Sequence, residues 1–237
     1  MGVADRVHPV VLDVSDDRAV GRRWATFPDF YAVVNNAGYS ELGAVEEVTA
    51  EQARAQLDVN LVAPAVVAAC ALPAMRERGA GRIVMVSSMF GRAAIMPLNA
   101  WYHASKFGLE ALSDVLRMEV AGFGVKVAIV EPGFFRTGIG TDTKARAGER
   151  LADDSPYRTA YERTAASVES MERFAPPPDA VARVIASAIE SARPLRRYLV
   201  GADAVALAAT HPFIPRAFTD AATRLLTGLG GPPTTFT

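Results

Sequence analysis

Several of the residue types that build common catalytic centres are scarce. There is one cysteine, Cys70, inside an apolar run, so no internal disulfide can form and a reducing, cytoplasmic location is expected. Three histidines, His8, His103 and His211, stand far apart and offer no metal-ligand spacing. The formal net charge is −1, which argues against electrostatic capture of nucleic acid or an anionic membrane. The N-terminus is charged and lacks the apolar stretch of a signal peptide. Apolar stretches near 61–75 and 125–130 look too short or too interrupted to span a bilayer, so no membrane partner is expected. A glycine-rich, phosphate-cradling turn is also missing. Before Asn35 only Gly2 and Gly21 occur, each isolated.

What is present is enough apolar material for one core. Half of the 237 residues are hydrophobic and 22% are charged, so residues 1–237 read as a single globular domain. Apolar, valine-rich runs alternate with helical patterns. Candidate strands lie at 7–14 (VHPVVLDV), 30–35 (FYAVVN), 82–87 (RIVMVS), 125–130 and 197–200. Candidate helices lie at 18–26, 49–78, 98–121 and 179–191, with further helical segments up to 174 and a tail helical at most to 229. Thr49 and Gln52 form a capping-box pattern. The stretch 138–155 is polar and reads as mobile, and Gly230-Gly231-Pro232-Pro233 reads as fraying. Strand and helix in alternation predict an α/β fold, Rossmann-like, with a mostly parallel sheet flanked by helices.

The chemistry-bearing residues fall at strand ends. Tyr102 and Lys106 are four apart on a helix and share a face. A cation beside a phenol favours phenolate and suits a general acid/base. Alone, Tyr-x-x-x-Lys is a frequent coincidence. Here Ser87-Ser88-Met89-Phe90-Gly91 follows one strand, Asn35-Asn36-Ala37-Gly38 another, and Pro132-Gly133-Phe134-Phe135-Arg136-Thr137 a third. The carboxyl ends of parallel strands are where α/β folds bind ligands. Pro64 has no N–H for the Asn60 carbonyl, so it either frees that carbonyl or simply bends the helix.

In this order and spacing, the four motifs resemble the short-chain dehydrogenase/reductase family over about residues 7–200. The resemblance implies catalytic roles for Asn60, Ser88, Tyr102 and Lys106. Tyr102 would be the general acid/base, Ser88 the hydroxyl that orients the reacting oxygen, and Lys106 the cation beside the phenol. The Asn60 carbonyl would hold a water. It also implies NAD or NADP as cofactor, bound by Asp13, Val14, Asn36, Ala37, Gly38, Val59, Tyr102, Lys106, Pro132, Gly133, Phe135 and Thr137. No metal is implied. Residues 138–174 would be a substrate lid, residues 210–237 a C-terminal tail, and a homodimer or tetramer the assembly.

Against the family pattern, the sequence starts at what resembles the third strand, so the first two strands and their glycine-rich turn have no counterpart. Residues 7–14 should then dock beside 30–35 or stand free. Three readings stay open. One is an NAD(P)-dependent oxidoreductase acting on a small apolar ketone or alcohol, in a pocket bordered by Met89, Phe90, Ile95, Met96, Trp101, Phe134 and Phe135. The second is a redox-neutral enzyme using the same Ser/Tyr/Lys set for elimination, isomerisation or cyclisation. The third is a non-catalytic binding protein.

Overall fold

A computed structural model describes residues 7–27, 29–151 and 154–229, the side chain of Lys144 excepted. Strands β1 (Ala32–Asn35), β2 (Gly81–Val86), β3 (Val125–Pro132) and β4 (Arg197–Val200) form one sheet in that order, each neighbouring pair parallel. All six residues of β2 are buried, Arg82 included, as a mainly apolar run predicts for a strand covered on both faces. Its side chains alternate. Ile83 and Met85 pack with Ala68, Ala71, Met75 and Leu109, while Val84 packs with Ala128, Val130 and Ala188. Helices α3 (Ala63–Arg78) and α4 (Ala100–Glu119) therefore cover one face, and α7 (Asp179–Glu190) the other.

The other helices are α1 (Asp17–Trp24), α2 (Ala50–Leu57), α5 (Gly138–Leu151), α6 (Arg158–Phe174), α8 (Ala202–Thr210) and α9 (Arg216–Thr227). Thr49 and Gln52 form the anticipated capping box at α2. Between α2 and α3 the chain winds as a π-helix over Asp58–Val62, where the N–H of Ala63 reaches back to the Asp58 carbonyl. Pro64 sits in the first turn of α3. The predicted perturbation is thus a π-segment immediately ahead of the proline. α3 ends on Gly79, whose φ of 68° is the left-handed conformation a helix C-cap favours.

Three expectations need correction. Residues 7–14 form no strand. Val11 is fully exposed, Asp13 turns back to accept hydrogen bonds from the N–H and Oγ of Ser15 at 2.9 and 2.7 Å, and the outer edge of β1 is unpaired among the described residues. A strand exists only through its neighbours, and among the described residues this segment pairs with none, leaving even the open edge of β1 untaken. Residues 138–151 are helix α5, not a mobile loop. Ala147 is fully buried, Arg146 pairs with Glu41 at 2.5 Å, and Arg150 donates to the Glu47 carbonyl at 3.0 Å. The polar composition that suggested a loop supplies these anchors. Finally, helix and π-segment run continuously from Ala50 to Arg78, 29 residues that by length and composition could cross a membrane. The reading of 61–75 alone as too short does not hold, although Ala68, Ala71 and Met75 pack on the sheet here. The 230–233 segment lies outside the described residues.

Burial on the two faces should separate mutational effects. Ile83→Ala is expected to lose about 2–4 kcal/mol in chemical denaturation, from lost transfer energy and the cavity left behind. Val34→Thr, at a position 38% exposed on the open edge, should change stability by less than about 0.5 kcal/mol. Equal losses would contradict this layering.

Candidate active site

Parallel pairing brings three strand ends to one edge of the sheet, with Asn35 opposite Met85 and Val86 opposite Val130. The turns that follow overhang that edge, and α4 passes beneath them. A cavity of about 590 Å³ opens there, lined by Asn36, Gly38, Ser88, Tyr102, Lys106, Pro132, Gly133, Phe135 and Thr137. A second cavity, about 560 Å³, runs along the outer edge of β1 and is lined by Val14, Asn36, Ala37 and Val59 among others. Asn36 borders both. Of the residues assigned to a cofactor, only Asp13 lines neither cavity. Its carboxyl is exposed and held low by its hydrogen bonds from Ser15.

Asn60 is buried and does more with its side chain than the sequence suggested. Its Oδ1 accepts from the Tyr39 N–H at 3.1 Å, and its Nδ2 donates to the Tyr39 carbonyl at 2.9 Å and to Ser105 Oγ at 3.0 Å. Ser105 in turn donates to the Tyr102 carbonyl at 2.7 Å. Asn60 thus ties the turn after β1 to the helix bearing Tyr102. A Cβ on Gly38 would lie 3.2 Å from Asn60 Oδ1 and 3.7 Å from Lys106 Nζ, so a residue without a side chain keeps this part of the cleft open.

Tyr102 and Lys106 are both buried. Lys106 Nζ donates to the Val86 carbonyl at 2.9 Å and lies 5.7 Å from the centre of the Tyr102 ring. Burial pushes the phenol up to about 12, with the Ser88 hydroxyl pulling the other way. Burial draws the ammonium down to about 8, opposed by Glu110. The expected depression of the tyrosine by its lysine is therefore not found: the phenol goes up, because desolvation penalises its charged form.

The apolar wall is built as anticipated from Met89, Phe90, Met96, Phe134 and Phe135, but Ile95 and Trp101 do not line it. Val168 of α6 and Val181 and Ile185 of α7 contribute instead. In sequence these look like ordinary core positions of amphipathic helices, and only the tertiary fold turns them to the cavity. Two further residues had no sequence signal. His103 accepts the Met96 N–H on Nε2 at 3.3 Å, and its Nδ1 stands 2.9 Å from the Phe90 carbonyl. One ring thus holds two points of the wall, with Nδ1 assigned the proton. Asp203 of α8 accepts from the Phe134 N–H at 2.6 Å, fixing the turn after β3.

Residues 2–148 match the family model described as short chain dehydrogenase. The chain is 34% identical to oxidoreductase BOA17 of Botryotinia fuckeliana over 85% of this chain and 73% of that protein. It is 40% identical to human 17-beta-hydroxysteroid dehydrogenase type 6, over 60% of this chain but only 46% of that protein. A short-chain dehydrogenase structure from Streptomyces avermitilis superposes with a TM-score of 0.73 at 28% identity, covering 97% of this chain and 82% of that one.

The elevated tyrosine has a spectroscopic consequence. An acid whose pKa is raised stays protonated to higher pH, so Tyr102 should contribute no phenolate absorbance at 295 nm below about pH 10.5. Wild type and Tyr102→Phe should give superimposable titrations up to that point. An extra phenolate in wild type near neutral pH would refute the dominance of burial.

Proposed function

The chain belongs to the short-chain dehydrogenase family, and we propose that it is an NAD(P)-dependent oxidoreductase interconverting a carbonyl and an alcohol on a hydrophobic small molecule. The observation that carries this reading is the convergence of Ser88, Tyr102 and Lys106 on one cavity with an apolar wall on its other side.

The residues fit the nicotinamide half of the cofactor. Lys106 and Tyr102, the open turn at Gly38 and the Pro132–Thr137 turn would hold it, and Val14, Ala37 and Val59 border the adjoining cavity where its adenosine half would lie. Asp13 would have to leave Ser15 to join them. The pyrophosphate has no glycine-rich turn in this sequence to receive it. When bound, the nicotinamide supplies or accepts the hydride.

The protein supplies the proton. In carbonyl reduction the substrate oxygen lies between the Ser88 hydroxyl and the Tyr102 phenol, and both donate to it as negative charge develops. With a pKa near 12 the phenol is fully protonated at neutral pH, ready as an acid. In alcohol oxidation the phenol would first pass that proton to solvent through the open cavity, and the Lys106 charge one helical turn away would stabilise the phenolate that then takes the alcohol proton. Met89, Phe90, Met96, Val181 and Ile185 favour an apolar substrate body over a sugar or phosphate, in keeping with the steroid named for one relative.

The redox-neutral reading uses the same Ser88, Tyr102 and Lys106 set without a nicotinamide, and one experiment separates the two. Titrating NADH and NADPH into the chain should give saturable fluorescence enhancement in the micromolar range, and a flat response to both would favour the redox-neutral reading. Tyr102→Phe should then lower kcat by at least about 100-fold with the fold retained. Undiminished turnover would remove Tyr102 from the chemistry.

A further inference from the structure

Four titratable residues stand one turn apart along α4: Tyr102, Lys106, Glu110 and Asp114. Residues four apart share a helix face, so the row leads from the cavity toward the surface. Tyr102 and Lys106 are buried, Glu110 is 7% exposed, and the Asp114 side chain is 40% exposed. The proton chemistry uses the first two. Glu110 has no part in it, yet a carboxylate is kept this dry only with compensation.

Groups from three other elements surround it. From β4, Arg197 reaches Glu110, Glu131 and Asp114 with one guanidinium. From β3, the fully buried Glu131 faces Arg197 at 2.8 Å and Arg92, from the turn after β2, at 3.2 Å. On α4 itself, Arg117 pairs with Asp114 at 3.2 Å. Burial, with Glu131, pushes the Glu110 carboxyl up, while the Ser87 hydroxyl and Arg197 hold it down. Gly91 makes this approach possible. A Cβ there would lie 2.8 Å from Ser87 Oγ, 3.0 Å from Glu110 Cγ and 3.1 Å from the Lys106 carbonyl oxygen. Arg92 and Arg117 also serve Glu131 and Asp114, whereas among the described residues Glu110 has Arg197 alone and shares it with both, so its charge is the least compensated of the three and stands one turn along the helix from Lys106.

Lys106 lies in the field of that charge. Its ammonium is buried, its hydrogen bond goes to an uncharged carbonyl, and among the described residues no carboxylate stands within ion-pair distance of it. Glu110 is the charge that opposes the effect of burial on it.

We propose that Glu110 is a positioning residue of the acid–base pair, holding the buried Lys106 ammonium in its charged form from one helical turn away. A direct ion pair would draw Nζ out of the cavity, whereas a carboxylate at this remove supports the charge and leaves Nζ facing Tyr102. The inference rests on the proposed pairing of Tyr102 with Lys106 for its catalytic meaning, but not for its test.

The sequence contains three lysines, Lys106, Lys126 and Lys144, so their side-chain 13Cε–1Hε signals can be followed individually through a pH titration of the full ligand-free chain. Lys106→Arg identifies the signal. In Glu110→Gln the Lys106 midpoint should fall by about one pH unit, a tenfold change in its proton affinity. Glu110→Asp, which keeps the charge, should restore at least half of that shift. An unmoved midpoint in folded Glu110→Gln overturns the proposal, and so does an equal fall in Glu110→Asp, which would mark a packing effect. If Glu110→Gln does not fold, Glu110→Met carries the same expectation. Where the midpoint falls, the alkaline loss of kcat for carbonyl reduction should move to lower pH with it. A fallen midpoint with an unmoved kcat profile supports the role of Glu110 and counts against Lys106 in the proposed chemistry.

Discussion

Strand β2 has both faces covered and both edges paired. Sliding it by one residue would exchange Ile83 and Met85 with Val84 and Val86, turning each set toward the wrong layer. Its last residue is therefore a fixed point of the molecule, and the site is hung from it. The Val86 carbonyl receives Lys106, Ser87 lies against Glu110, and Ser88 faces Tyr102. The packing that decides the fold thus also decides where the hydroxyl, the phenol and the ammonium meet. The neighbouring strand ends then add Asn36 to Gly38 on one side and Pro132 to Thr137 on the other, because parallel neighbours in register must end together.

Burial acts on the two ionisable groups of that site in opposite directions. It raises the phenol and lowers the ammonium, so each is pushed toward its neutral form. Two opposite charges would support one another in the same space, but each must first exist there, and desolvation is felt before the attraction is gained. This is why a tyrosine beside a lysine is not automatically a phenolate. The protein therefore holds the Tyr102 phenol protonated at rest, as a weaker acid than a free tyrosine; under the proposed function, a substrate oxygen and Ser88 would have to share the charge before phenolate becomes accessible. Keeping the lysine charged becomes the delicate requirement, which gives the carboxylate row beyond it a purpose.

Much of this was legible in the sequence, and the exceptions have physical reasons. Strands β1 to β4 announced themselves because buried parallel strands are apolar runs closed by turn residues, here Asn-Asn, Ser-Ser and Pro-Gly. Tyr102, Lys106 and Ser88 were legible for the same reason, being tied to strand ends and a helical repeat. Residues 7–14 misled because valine content reports compatibility with a strand, while pairing is decided by a neighbour elsewhere. Helix α5 misled in the other direction, since its arginines look solvated until Glu41 and Glu47 are brought to them from about a hundred positions away. Asp203 and Arg197 act on residues more than sixty positions distant, and no local pattern encodes such a contact. The family resemblance supplied roles for residues at motif positions and nothing for these supporting ones.

The two cavities divide the problem of function along a physical line. The first is bounded by the ends of β2 and β3 and by α4, and none of its lining residues lies on β1 itself. The second lies along the outer edge of β1, where the outward backbone groups of that strand are unpaired among the described residues and Val34 is 38% exposed. An unpaired apolar edge beside a groove is a surface that gains from being covered. Asn36 borders both cavities, so whatever occupies the edge groove touches the turn that lines the reaction site. Under the proposed function the adenosine half of the cofactor would be felt in the outer groove, at Val14 and Val59, while Tyr102 and Lys106 in the inner cavity would serve both the nicotinamide half and the proton.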